Sequence, residues 1–184
     1  MDEKRRCSWV DPGNPLLVRY HDEEWGKIEK NDGRLFEMLL LESFQAGLSW
    51  ECILNKRENF RRAFDGFDPE KIAAYDEEKC TALMENPGIV RHRGKIRAAV
   101  TNARVFLDIQ QEYGSFSAFL WGFTDGKPQR DQGGPTSSLS DRISAALRRR
   151  GMKFVGSTTV YAFLQAMGMV QGHEKGCFLA TEEA

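Results

Sequence analysis

The segment Arg34–Trp50, RLFEMLLLESFQAGLSW, decides how the chain folds. Leu35, Leu39, Glu42 and Ala46 recur at steps of three and four, the spacing of one helix face. The pattern predicts helix over Arg34–Leu48, with Gly47 and Ser49 breaking it before Trp50. Glu42 lies on the apolar line, with Leu40, Leu41 and Phe44 close by. A carboxylate there must be paired, hydrogen-bonded, protonated or turned toward a cavity. The helix pattern alone supports two readings equally: an acid satisfying helix N-termini or an arginine, or an acid lining a pocket. The second gains from Gln45-Ala-Gly-Leu-Ser-Trp50, which presents a tryptophan near the carboxylate. An acceptor beside an aromatic plane suits a planar, cationic base.

Helical periodicity continues outward. Trp50, Ile53, Leu54, Arg57 and Phe64 share a line, Asp68-Pro69 reads as an N-cap and first helical residue, and Asp76 caps Glu77–Glu85. After Asn86-Pro-Gly88, Ile96, Ala99, Val100, Ala103 and Leu107 form one face of a long helix that Gly114 ends. Thr124–Ser138 is polar and rich in glycine and proline, hence an exposed loop, and helices resume over Ser140–Arg150 and Ser157–Met167. Strand-like alternation is almost missing and no repeat is present. The fold expected is all-α: one unit over 1–184, with two helical lobes around a cleft.

With 41% hydrophobic and 29% charged residues the composition is that of a soluble globular protein. Runs such as Met38–Leu41 are far too short to span a bilayer, and no apolar segment follows the basic start at Lys4–Arg6. A cytoplasmic protein without membrane contact, and a monomer, is expected. The net charge of −1 does not announce a nucleic-acid binder, yet basic residues cluster at Arg91–Arg97 and Arg148–Lys153. Each cluster taken alone reads as a solvated helix end.

Three of the four tryptophans, Trp9, Trp25 and Trp50, fall in the first fifty residues with Tyr20, around the misplaced Glu42. Trp121 reads as ordinary core. Between two helical patterns, Asn86-Pro-Gly-Ile-Val-Arg91 forms a hairpin in which Gly88 permits close backbone approach. Arg91, His92, Arg93 and Lys95 follow where the next helix points its amides, an arrangement resembling a helix–hairpin–helix element over 86–97. Cys52 and Cys80 read as small buried hydrophobes within helices. Cys7, His21, His173 and Cys177 are of the right types for a Cys₂His₂ zinc site joining the two chain ends. Their spacing is not that of a zinc finger, so unconnected surface residues remain the safer reading from chemistry alone.

The motifs together resemble one family. Cys7-Ser-Trp9, Tyr20-His-Asp-Glu-Glu-Trp25-Gly, Leu35-Phe-Glu-Met, Leu41-Glu42, Gln45-Ala-Gly-Leu-Ser-Trp50, Lys56-Arg-Glu-Asn-Phe60, Gly88-Ile-Val-Arg-His-Arg-Gly-Lys-Ile96 and Lys153-Phe-Val-Gly156 follow the order of the 3-methyladenine DNA glycosylase I family. The resemblance implies a helix–hairpin–helix glycosylase fold and a structural zinc on Cys7, His21, His173 and Cys177. Glu42 would then be the catalytic, base-contacting carboxylate with Tyr20 beside it, Trp50 would stack on the base, and Trp9 and Trp25 would line the pocket. Alkylated double-stranded DNA would be the substrate, and free 3-methyladenine and an abasic site the products. Glycosylases of the wider superfamily often use a lysine in the hairpin or a downstream aspartate. Here Lys95 reads as a phosphate contact and Asp108 as solvated surface, so no lyase chemistry is expected. Ser43-Phe44 replaces the small or polar residues common in the family, and Leu17 stands where some members carry an aromatic residue. If Ser43-Phe44 blocked the pocket, the chain would be a damaged-DNA-binding module without turnover. A zinc-stapled helical domain that contacts RNA or protein is a third reading.

Overall fold

The computed structural model describes residues 4–180. Nine α-helices follow in order among them: α1 (Pro15–Glu23), α2 (Asp32–Gln45), α3 (Trp50–Ala63), α4 (Pro69–Ala73), α5 (Glu77–Met84), α6 (Arg93–Tyr113), α7 (Phe116–Trp121), α8 (Ser138–Arg149) and α9 (Ser157–Ala166). Two-residue strands, β1 (Gln129–Arg130) and β2 (Val170–Gln171), pair in parallel with Gln129 opposite Val170. The expectation of an all-helical chain therefore holds apart from this bridge, which ties the polar 124–138 loop to the segment after α9.

Local chemistry starts the helices where the sequence signals them. Asn14 accepts from the Leu16 and Leu17 amides with Pro15 at the first turn, Ser49 caps α3 through the Cys52 amide, and Asp68 and Asp76 cap α4 and α5. Gly114, at φ 81°, ends α6 in the left-handed conformation that glycine adopts without penalty.

At the centre lies α2. Every residue from Leu35 to Phe44 is buried, so this helix is enclosed on all sides and not merely along one stripe. It packs against α3, α6, α7 and α9. Asp32 joins its start to α7 by accepting from the Phe116 and Ser117 amides at 2.8 Å each. On α6 the core face is Ile96, Ala99, Ala103, Phe106 and Ile109, while Leu107 is only half-buried, which corrects the expected stripe. Cys80 is buried as expected, Cys52 only partly. Phe44 is fully buried against Phe60 and Phe64, with ring centroids 4.9 and 5.7 Å away. Ser43 turns its hydroxyl to the Leu40 carbonyl at 2.7 Å. Neither they nor Leu17 line the cleft beside Glu42, so the blocked-pocket reading loses its cause.

Candidate active site

Two acids share the buried helix α2, and their surroundings differ. Glu37 accepts from Arg34 at 3.0 Å, Arg57 at 2.8 Å and Arg61 at 2.6 Å, and is an acid satisfied by arginines. Glu42 is 4% exposed and its Oε2 is buried with no hydrogen-bond partner among the described residues. Desolvation pushes its carboxyl up from the ordinary 4.5 to about 8. Glu42 is thus the acid turned toward a cavity.

That cavity, of about 230 Å³, is lined by Trp9, Tyr20, Trp25, Glu42 and Trp50, together with Gln45, Ala162 and Gln165. The five residues singled out in the sequence come together. Tyr20 is delivered by α1 and lies 5.3 Å from Trp50, ring to ring. Trp50, the first residue of α3, has an indole N–H that is also buried and unpartnered. Trp9 meets Trp25 edge-on at 5.1 Å. A carboxylate oxygen and an indole N–H without partners, beside flat apolar walls, form a site built for a planar ligand with polar edges. A neighbouring cleft of about 240 Å³ is lined by Glu24, Arg34, Arg57 and Arg61, whose charges already pair with one another or with Glu37, so it presents no comparable demand. The turn between α2 and α3 places Gly47 at φ 81°, in keeping with its reading as a helix breaker. It also carries Leu48, a residue the sequence reading did not single out, 41% exposed beside the cleft residues Gln45 and Trp50.

Behind the cleft wall, the ligand atoms of Cys7, His21, His173 and Cys177 lie within 4.8 Å of one another. Cys177 Sγ is 3.5 Å from His21 Nε2 and 3.6 Å from His173 Nδ1, and Cys7 Sγ is 3.6 Å from His173 Nδ1. Zinc bonds of about 2.3 Å to sulfur and about 2.0–2.1 Å to nitrogen, at tetrahedral angles, place such ligands roughly 3.5–3.6 Å apart. The donor set and its spacing fit a metal ion. His21 Nδ1 meets Asp22 at 2.7 Å, which leaves Nε2 toward the cluster, and Arg6 holds that aspartate through Nη2 at 2.7 Å. The arginine contact and burial act in opposite directions on Asp22, and the net effect lowers it to about 2. Trp25 stacks edge-on against His173 at 4.8 Å, and Trp9 against His21 at 5.4 Å, so the cluster and the cleft share a wall.

The hairpin after α5 is a tight turn in which the Gly88 amide donates to Asn86 Oδ1 at 2.8 Å. A Cβ at 88 would come within 3.1 Å of Asn59 on α3. A side chain at 88 would crowd Asn59, and the Gly88 amide already has a partner within the turn. Lys95 stands apart from its basic neighbours. It is 5% exposed, and its Nζ donates to the carbonyls of Phe44 at 2.8 Å and Ala46 at 2.6 Å, capping the end of α2. A lysine so placed does not reach a backbone outside the protein. Arg91, His92 and Arg93 are exposed, His92 caps α6 by accepting from the Lys95 amide, and Asp108 lies on the surface as expected. The second basic cluster reaches the same surface. Arg148, Arg149 and Lys153 line a broad cleft with Phe154, whose ring sits 6.0 Å from His92. Buried Asn102 pins this loop to α6 by bonding both the amide and the carbonyl of Lys153. Nothing in the sequence around Asn102 marks it, because its partner is 51 residues away.

A family model for methyladenine glycosylases matches residues 9–180. The chain belongs to the methyladenine glycosylase family. It is 49% identical over 178 residues to DNA-3-methyladenine glycosylase 1 of Escherichia coli (strain K12), covering 94% of this chain and 95% of that protein. Its fold is similar to a crystal structure of 3-methyladenine DNA glycosylase I, with a TM-score of 0.92, 48% identity and coverage of 96% of this chain and 100% of the other. A structure of 3-methyladenine DNA glycosylase I from Staphylococcus aureus, which concerns 3-methyladenine recognition, matches with a TM-score of 0.90 at 39% identity over 94% of this chain and 95% of that one. Membership of the methyladenine glycosylase family makes the chain an enzyme, a hydrolase of N-glycosyl bonds, and sets aside the readings as a structural domain that contacts RNA or protein.

Proposed function

We propose that this chain is a monofunctional DNA repair glycosylase that extrudes 3-methyladenine from alkylated duplex DNA and hydrolyses its bond to deoxyribose, leaving an abasic site. The observation that carries the proposal is the buried, unpartnered carboxylate of Glu42 beside Tyr20 and Trp50. Methylation at N3 makes the nucleoside base cationic, so it can leave neutral and needs little acid catalysis. The enzyme's task is then to extrude the base, recognise it and tolerate a cationic sugar. Extrusion costs about a few kcal/mol, offset by stacking on Trp50 and by contacts to the backbone. A cationic base arriving beside Glu42 favours its carboxylate form, so the proton held on the empty site is released as the ligand pairs with it. Water adds to the sugar carbon and gives up a proton to solvent as the C–N bond breaks, the bond's electrons going to the base, which departs neutral.

Arg91 and Arg93, with the Arg148–Lys153 ledge next to them, form the surface that grips phosphates in a helix–hairpin–helix manner, without reading sequence. The single unit over 1–184 would act as a monomer. The described residues contain no helix long and apolar enough to cross a membrane, in keeping with a cytoplasmic repair enzyme. Cys7, His21, His173 and Cys177 would hold a structural zinc, which supplies a tie between the chain ends and takes no part in bond cleavage. Base release by Glu42→Ala and Trp50→Ala tests the proposal. Both should lose at least about 100-fold in rate, the scale of an aligned electrostatic contact, and wild-type rates in both would refute it.

A further inference from the structure

Helix α9 lends Ala162 and Gln165 to the cleft that Glu42 and Trp50 also line. The Gln165 amide is held in one orientation. Its Nε2 donates to Asp131 Oδ2 at 2.9 Å, and an ionised carboxylate only accepts, so the nitrogen end must face Asp131. Asp131 is itself fixed, because its Oδ1 accepts from the Tyr161 hydroxyl and from the Gly133 amide at 2.8 Å. Gly172 backs the amide so closely that a Cβ there would come within 2.9 Å of Nε2. The 124–138 loop carries Asp131 to this place and is secured by the bridge between β1 and β2. With Nε2 committed, the remaining polar atom of Gln165 is its side-chain carbonyl oxygen. No donor among the described residues bonds it, it is not among the sealed, unpartnered buried atoms, and its residue lines the cleft.

We infer that Gln165, oriented by Asp131, is a specificity-determining residue that accepts a hydrogen bond from a ring amino group and disfavours an oxo group at the same place. The inference rests on the cleft being the base site proposed above. Asp131 acts through Gln165 and is a positioning residue.

The test measures affinities of free 3-methyladenine, 3-methylhypoxanthine (oxo in place of amino) and 3-methylpurine (neither) by quenching of tryptophan fluorescence. Base release from methylated DNA is followed alongside. Gln165→Leu should weaken 3-methyladenine about tenfold, the worth of one hydrogen bond of this kind, and leave 3-methylpurine unchanged. Asp131→Asn is the sharper variant. Tyr161 and Gly133 both donate, so they retain the new amide's oxygen and turn its nitrogen to Gln165. That flips the Gln165 amide, and 3-methylhypoxanthine should gain on 3-methyladenine by about tenfold or more. Variants that bind 3-methyladenine with the wild-type ratios to both analogues would overturn this inference and leave the proposed activity standing. A wild-type protein that neither binds nor releases 3-methyladenine would overturn both. Gln165→Leu leaves the Asp131–Tyr161 contact in place and keeps the inference falsifiable should Asp131→Asn fail to fold.

Discussion

Glu37 and Glu42 lie five positions apart on a helix that is buried on all sides, and their partners separate them: three arginines satisfy Glu37, while Glu42 Oε2 has none among the described residues. The sequence exposes Glu42, because it breaks an apolar line. It does not reveal that Glu37 draws three arginines, since Arg57 and Arg61 arrive from another helix. The pH behaviour follows from Glu42's pocket. Its carboxyl is raised from 4.5 to about 8 in the folded protein, so between those values the folded chain binds the extra proton. This group's folding penalty is therefore absent below the unfolded value and grows as pH rises through the folded one. Glu42→Gln should leave thermal stability little changed at pH 4.5 and raise it at pH 9 by on the order of a few kcal/mol. Free-enzyme activity should run the opposite way, with kcat/KM climbing toward a plateau above about pH 8 as the carboxylate forms. A flat wild-type profile across pH 6–9 would contradict the assigned role.

Helix starts are legible because caps are local: asparagine, serine and aspartate announce themselves within three residues of the amides they satisfy. Long-range contacts are not, and Lys95 is the clearest case. Its neighbours in sequence are basic and exposed, and only the packing of α6 on α2 places its ammonium on the Phe44 and Ala46 carbonyls. Lys95→Met should destabilise the fold by about 2 kcal/mol in urea titrations, because two buried carbonyls lose a charged donor. Arg93→Ala, in contrast, should change stability by less than about 0.5 kcal/mol. It should weaken DNA binding evenly across sequences and reduce the salt slope by about 1. The reverse pattern, a stable Lys95→Met with lost DNA affinity, would restore the phosphate-contact reading. The loop at 124–138 is a second case, since its composition signals an exposed turn but gives no sign that Asp131 holds the cleft residue Gln165.

At the scale of the molecule, residues near the two chain ends close one wall of the site. The ligand types at 7, 21, 173 and 177 are visible in the sequence, but only the family resemblance implies their convergence, because spacings of 14 and 152 residues carry no geometry of their own. Since Trp9 and Trp25 pack directly on His21 and His173, a metal held at the cluster would couple stability to the proposed base binding. Purified protein should contain one zinc per chain. Stripping it with a chelator should lower Tm by roughly 10 °C or more and weaken free 3-methyladenine binding in parallel. Metal content near zero with an unchanged Tm would remove the staple. The central claim is most directly tested by incubating the wild-type protein with methylated duplex DNA carrying radiolabelled methyl groups and resolving the released bases by chromatography. The account predicts that 3-methyladenine is released while 7-methylguanine stays in the duplex, and no release from folded, zinc-loaded protein would contradict it.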